Sequence, residues 1–194
     1  MGPDQFCLVL LRRMGDYQPD LVADAVRELE FTRTRMREVN AQWQRMVRSR
    51  SVGGSGRAYR AALGEPAGRA ERRIGDLTAD AQWWVLPLWP WSRFEVLTGP
   101  DGRVWQEWLV RADPAGIPPV ETVADLRPWE FVIGDVAHAF PQLRHVEGSA
   151  PSRWGSLITE GEATYRLEFV WGLLQNVTRI DAATDPTTPA EQAG

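Results

Sequence analysis

Few side chains in this sequence have the types and spacing that metal or acid–base chemistry needs, and its two histidines are among them. Asp135 and His138 are three residues apart on a predicted short helix, and His145 and Glu147 follow in a predicted loop. Imidazole and carboxylate groups can bind a metal ion or exchange protons. No cysteine accompanies these four residues and no nucleophile signature adjoins them, so we interpret them as structural. We expect no metal and no cofactor.

A pair of carboxylates, Glu160 and Glu162, precedes a predicted strand with one glycine between them. Such a pair could be catalytic, but the tripeptide is common and nothing near it completes a known motif. The glycine-rich residues 53–56 look like a phosphate-binding loop only superficially. They lack the Lys-Ser/Thr ending and follow a predicted helix instead of a strand, so we interpret them as a connector. We assign no catalytic residue.

Aromatic side chains give the strongest signal in the chain. Residues 81–112 hold six of the ten tryptophans: Trp83, Trp84, Trp89, Trp91, Trp105 and Trp108. Each indole combines a large apolar area with one N–H donor, so the cluster must form a core, a protein interface or a ligand site. As a ligand site it would stack on planar molecules or sugars, with hydrogen bonds from Glu95, Asp101 and Glu107.

Two of these tryptophans fall on opposite faces of one predicted strand. Trp105 and Trp108 lie three residues apart within residues 103–111, and side chains alternate between the two faces of a strand. Both faces then need cover, which favours packing and partner contact over one open cleft. We expect Trp108 in the core, and Trp105 at a protein-binding surface together with Trp89 and Trp91.

The elements that position these groups begin with a predicted long helix. From residue 20 to about residue 48, apolar side chains recur at a heptad spacing, which predicts one helix packed along another. The positions of this seam are Val22, Ala25, Leu29, Thr32, Met36, Val39, Trp43 and Met46. A shorter helix predicted over residues 57–73 is interrupted by Gly64 and Pro66, so it cannot cover the whole seam. We therefore predict that four seam residues bind a protein partner or a second copy of the chain: Met36, Val39, Trp43 and Met46.

Arginines are concentrated in the same part of the chain. Residues 33–73 carry 11 arginines and 3 acidic residues, a composition that can bind phosphate backbones. The arginines occupy several outer positions of the predicted helix instead of one stripe, and some have acidic neighbours at i,i+3. We interpret them as a solvated surface and do not expect nucleic acid as a partner.

The second half of the chain is predicted to form antiparallel strands. Residues 93–98 and 103–111 flank the turn sequence Gly-Pro-Asp-Gly, which predicts a hairpin, and residues 165–171 alternate cleanly between apolar and polar. The apolar residues 6–11 are predicted as a short N-terminal strand. The fold class is therefore α+β: a long N-terminal heptad helix with a shorter companion helix, followed by a Trp-rich antiparallel β-sheet. We divide the chain into a helical region (1–75), the Trp-rich sheet region (76–180) and a disordered tail (181–194).

Length and composition limit the function classes. The chain has 194 residues, 43% of them hydrophobic, and a net charge of −4. A single cysteine, Cys7, and no apolar run of membrane-spanning length suggest a cytoplasmic protein with no membrane contact. The sequence has no lysine, so all 22 basic residues are arginine, and this usage suggests a bacterial source. We predict a non-enzymatic protein-interaction or assembly protein that uses the heptad helix and the Trp-rich surface. The first alternative is a small-molecule enzyme or ligand-binding protein with a Trp-lined pocket, in which His138 or the pair Glu160 and Glu162 supply the polar groups. The second is nucleic-acid binding through the arginine-rich arm.

Overall fold

A computed structural model describes residues 1–49 and 55–180 of the chain. Four helices come first: α1 (Pro3–Met14), α2 (Pro19–Glu28), α3 (Arg33–Val47) and α4 (Gly56–Leu63). The first sheet contains β1 (Gly68–Ile74), β2 (Leu77–Trp84), β3 (Ser92–Thr98) and β4 (Val104–Arg111). Two short 3-10 turns and helix α5 (Ile133–Ala139) lead to the second sheet, which contains β5 (Arg144–Ala150), β6 (Arg153–Glu160), β7 (Ala163–Val170) and β8 (Leu173–Ile180). The α+β class and the order of helices before antiparallel strands are confirmed. The predicted disordered tail, 181–194, lies outside the described residues.

Residues 6–11 form the middle of α1, so the prediction of an N-terminal strand is wrong. An apolar run of this length is compatible with a buried strand or with a helix that is buried on all sides, and periodicity cannot separate them. Helix α1 contacts α2, α3 and α4, and every side chain from Phe6 to Leu11 is buried. Pro3 occupies the first turn, where its missing N–H is not needed.

The predicted long helix is two helices, α2 and α3. The chain turns at Glu30, whose φ is 57°, and a Schellman motif closes α2 because the Phe31 N–H donates to the Val26 carbonyl at 3.0 Å. Thr32, the polar position of the seam, is the N-cap of α3 and accepts a hydrogen bond from the Arg35 N–H at 3.1 Å. The apolar period continues through this break because both helices pack their apolar faces against α1.

The companion helix is shorter than predicted. Helix α4 ends at Gly64, whose φ is 81°, and residues 68–74 are strand β1 instead of helix. Gly64 and Pro66 stop the helix, and the following residues alternate in exposure as they pair with β2. Each sheet is an antiparallel meander in chain order, β1-β2-β3-β4 and β5-β6-β7-β8.

The largest hydrophobic core lies between the helices and the first sheet. It draws Phe6 from α1, Trp43 from α3, Tyr59 from α4, Phe94 from β3 and Trp171 from the β7–β8 turn. Residues on both sides of position 75 therefore share one core, and the division of the chain at that position stays a prediction.

Candidate functional site

Four of the seven residues predicted to bind a partner are buried in this chain's own core: Met36, Val39, Trp43 and Trp89. Helix α1 packs against α3 and covers the seam that the prediction left open. Met46 and Trp91 are partly buried against the same core, whereas Trp105 is 39% exposed. The argument from an uncovered seam is thereby removed, and partner binding at these residues stays a prediction.

The metal and acid–base candidates do not form one site. Asp135 is buried and forms an ion pair with Arg111 at 2.6 Å, and it also accepts from the Val132 N–H at 3.0 Å. His138 is exposed on α5, and His145 lies on β5 with its Nδ1 3.3 Å from the Ser156 hydroxyl. Within residues 1–49 and 55–180, no group of three or more His, Cys, Asp or Glu side chains could hold a metal ion.

The carboxylate pair is also divided between different environments. The Glu160 carboxylate accepts a hydrogen bond from the Val123 N–H at 2.9 Å, which ties the second sheet to the segment before α5. Glu162 is exposed in the β6–β7 turn. The structure therefore gives Glu160 a structural contact and places Glu162 in solvent.

A cavity of about 390 Å³ lies between the helices and β4. Helices α1, α3 and α4 form one side, β4 forms another, and residues 150–152 with Trp171 close the end. The aromatic and polar residues that line it are Arg13, Asn40, Trp43, Gln44, Ser55, Tyr59, Trp105, Gln106, Glu107, Ser152 and Trp171. Aromatic side chains and the carboxyl group of Glu107 thus border one space.

Helix geometry explains why α3 forms a wall of this cavity. Asn40, Trp43, Gln44 and Val47 are spaced at i, i+3, i+4 and i+7, so they share one face of α3. The Trp43 ring is fixed by Tyr59 of α4, at 5.1 Å between ring centroids in an edge-to-face arrangement. Such aromatic pairs hold a preferred geometry, so this wall is rigid.

A β-bulge shapes the opposite wall. Leu97 pairs with Gln106 and Thr98 pairs with Val104, so Trp105 is the extra residue in β4. Its indole lies against Gly99, where an added Cβ would fall 2.4 Å from the ring. The bulge changes the alternation that the sequence predicted, and both Val104 and Glu107 line the cavity. Trp108, which we expected in the core, is only partly buried and packs edge-to-face on Trp154 at 6.0 Å.

Trp171 closes the end of the cavity from the β7–β8 turn. Its backbone has a φ of 53°, a left-handed conformation that is rare for a bulky residue. The backbone is held on both sides, because the Trp171 N–H donates to the Ser152 carbonyl at 2.8 Å and the Leu109 N–H donates to the Trp171 carbonyl at 2.7 Å. The turn of the second sheet therefore supplies an aromatic wall to a cavity built mainly by the helices and β4.

Glu107 is the unusual residue of this cavity. Burial raises the pKa of its carboxyl group from 4.5 to about 7, because the ionised form is poorly solvated there. Among the described residues, no hydrogen bond or ion pair compensates this carboxyl group. Glu107 was predicted from the sequence as a hydrogen-bonding group of the alternative Trp-lined pocket. The sequence did not indicate that its carboxyl group would lack a partner. The sequence feature that could have indicated this environment is the position of a charged residue between the apolar residues Trp105 and Leu109.

Comparisons with known proteins add little. The sequence matches no protein-family model and no curated protein. A solved structure described as a "putative beta-lactamase inhibitor protein" from Streptococcus mutans is similar at 16% identity and a TM-score of 0.29, over 70% of this chain and 87% of that chain. A likeness at this level supports no inference about function. No helix among the described residues is long and apolar enough to cross a membrane.

Proposed function

We propose that this protein binds a small organic molecule in the cavity between its helices and β4. The observation that carries the proposal is the unpaired carboxyl group of Glu107 in a cavity with aromatic walls. This is the first alternative of the sequence analysis, with Glu107 as the polar group instead of His138 or the Glu160 and Glu162 pair.

The dimensions and walls of the cavity support a ligand of modest size. Its volume of about 390 Å³ falls in the range of known small-molecule sites, which combine apolar walls with a few polar groups. Trp43, Tyr59, Trp105 and Trp171 supply aromatic surface, and Trp43 and Tyr59 hold each other in place through their edge-to-face contact. A flat or compact apolar group therefore fits these walls.

The energetic argument concerns the carboxyl group. A half-buried acid without a partner destabilises the folded chain relative to a polar group left in water. A ligand that donates a hydrogen bond or a charge to Glu107 removes this penalty upon binding.

The test is a ligand-detected NMR screen with equal numbers of neutral, cationic and anionic aromatic compounds. The variant Gln44→Trp fills the cavity from the half-buried face of α3, and Gln42→Trp places the same side chain on the exposed face of that helix. We expect compounds that bind the wild type and Gln42→Trp but not Gln44→Trp. Compounds that bind all three proteins equally, or an absence of binders, would refute the proposal.

A second candidate function is protein binding, the first choice of the sequence analysis. The observation in its favour is Trp105, a large indole that is 39% exposed beside the cavity. Exposed tryptophans with a polar surround are common anchors of protein interfaces. Met46 and Trp91, both partly buried, are the other predicted contacts that retain exposed surface. Sedimentation velocity of the wild type and of Trp105→Ala tests self-association. If the partner is a second copy of the chain, the variant should associate more weakly than the wild type.

A further inference from the structure

We infer that the ligand of this cavity is an organic cation, a compound with a positively charged nitrogen on a compact apolar group. The inference rests on the proposed function and adds the chemical class of the ligand. Its basis is the juxtaposition of the Glu107 carboxyl group with the aromatic walls of one cavity, in particular Trp43, Tyr59 and Trp105.

The first argument is charge compensation. Glu95 is 4% exposed and lies 3.4 Å from Arg72 and 3.3 Å from Arg93, and buried Asp135 has Arg111 at 2.6 Å. These two buried carboxyl groups therefore have a guanidinium partner from the same chain. Glu107 has none among the described residues, and a cationic ligand would supply the missing positive charge.

The other ionisable groups that line the cavity do not fill this role. Arg13, on α1, lines the cavity but is itself exposed, and no guanidinium opposes the upward shift of the Glu107 pKa. Tyr59, on α4, is the remaining ionisable side chain of the described lining, and a phenol cannot supply a positive charge. The lining residues from α3 and from residues 150–152 are uncharged. The carboxyl group therefore sets the charge at its end of the cavity.

The second argument is the character of the walls. The faces of indole and phenol rings attract cations, and a neutral or anionic ligand gains nothing from this attraction. The same chain uses such contacts elsewhere, since the Arg93 guanidinium lies 4.5 Å from the Trp83 ring and the Arg111 guanidinium lies 4.0 Å from the Trp91 ring. An anion would meet the ionised carboxyl group without compensation.

The test compares matched probes by isothermal titration calorimetry at pH 7. The pairs are choline and phenyltrimethylammonium, each with its neutral isostere in which a carbon replaces the nitrogen. We expect each cation to bind at least about tenfold more tightly than its isostere, since only the cation gains the ion pair and the ring contacts. In Glu107→Gln the preference should fall several-fold to the part that the ring contacts supply, while Glu162→Gln, the same change on an exposed turn, should retain it in full.

Proton exchange distinguishes this ligand class from a neutral one. Because the pKa of the Glu107 carboxyl group is about 7, a cation that requires the ionised form should release about half a proton at pH 7. A neutral ligand that accepts a hydrogen bond from the protonated acid should instead take up protons. Titrations in two buffers with different ionisation enthalpies measure the direction.

Four results would overturn the inference. The first two are isosteres that bind as tightly as the cations and a preference that is unchanged in Glu107→Gln. Neutral binders sensitive to Gln44→Trp, with no saturable binding of either cation, would overturn it and leave the proposed function intact. Absence of any binder in the screen and in these titrations would overturn both.

Discussion

Replacing Glu107 by glutamine should stabilise the folded protein, and the gain should grow with pH. The substitution keeps the shape of the side chain but removes the group that ionises inside the cavity. In the wild type, the folded chain binds this proton more tightly than the unfolded chain, because burial moves the pKa from 4.5 to about 7. The free energy of unfolding of the wild type should therefore fall as the pH rises from 4.5 through 7 and be constant above that.

The size of the effect follows from the two pKa values. A shift from 4.5 to about 7 corresponds to about 3 kcal/mol once the group is ionised in both states. Below the unfolded pKa the carboxyl group is protonated in both states, so the charge contributes no difference between the two proteins. The stabilisation by Glu107→Gln should hence be small in mild acid and approach about 3 kcal/mol in mild alkali.

Urea unfolding of the wild type and Glu107→Gln across this pH range measures the difference directly. Glu162→Gln is the matched control, because Glu162 is exposed in a turn and its pH profile should run parallel to that of the wild type. If the profiles of Glu107→Gln and the wild type are also parallel, Glu107 is not held in a poorly solvating cavity. The structural basis of both proposals would then be lost.

Four further substitutions test the packing around the site. Trp43→Ala should lower the free energy of unfolding by about 3–5 kcal/mol because Trp43 is 4% exposed in the core. Trp105→Ala should cost much less because Trp105 is 39% exposed. Equal losses of stability in chemical denaturation would contradict this difference. Asp135→Ala should cost about 3–5 kcal/mol because it leaves the buried Arg111 guanidinium without its counter-ion. A loss below about 1 kcal/mol would mean that the pair is solvated. Gly172→Ala should destabilise the fold by at least about 1 kcal/mol and lower the melting temperature. The reason is that φ at this position is 77° and the new Cβ would lie 2.8 Å from the Leu109 carbonyl oxygen. An unchanged melting temperature would argue against the packing of the β7–β8 turn on β4.

Local chemistry in the sequence was sufficient for part of this fold. The turn sequence at residues 99–102 predicted the β3–β4 hairpin, and the clean alternation of residues 165–171 predicted strand β7. Both features depend on neighbours in the chain, since turn residues fix backbone angles and alternation reports a sheet with two different faces. The change from helical to strand patterning likewise gave the order of the elements and the α+β class.

Other features depended on contacts between distant residues. The same apolar run, residues 6–11, suits a buried strand or a helix enclosed by three others, and only the packing of α1 decides between them. The heptad pattern identified the buried sides of α2 and α3 but not the helix that covers them. Periodicity indicates which side chains of a helix are buried, but it does not indicate which other element packs against them.

The candidate site illustrates the same limit at single residues. The sequence showed Glu107 among tryptophans, but the bulge at Trp105 sets which β4 side chains line the cavity, and Trp171 reaches it from a turn more than sixty residues away in the chain. Whether a carboxyl group is compensated depends on which guanidinium groups the fold brings close. Glu95 gains two and Glu107 gains none among the described residues, although both are glutamates on neighbouring strands of one sheet. The residue types were thus determined by the sequence, and the charge environment that makes Glu107 a candidate was decided only by the tertiary structure, because solvation and ion pairing depend on distances through space.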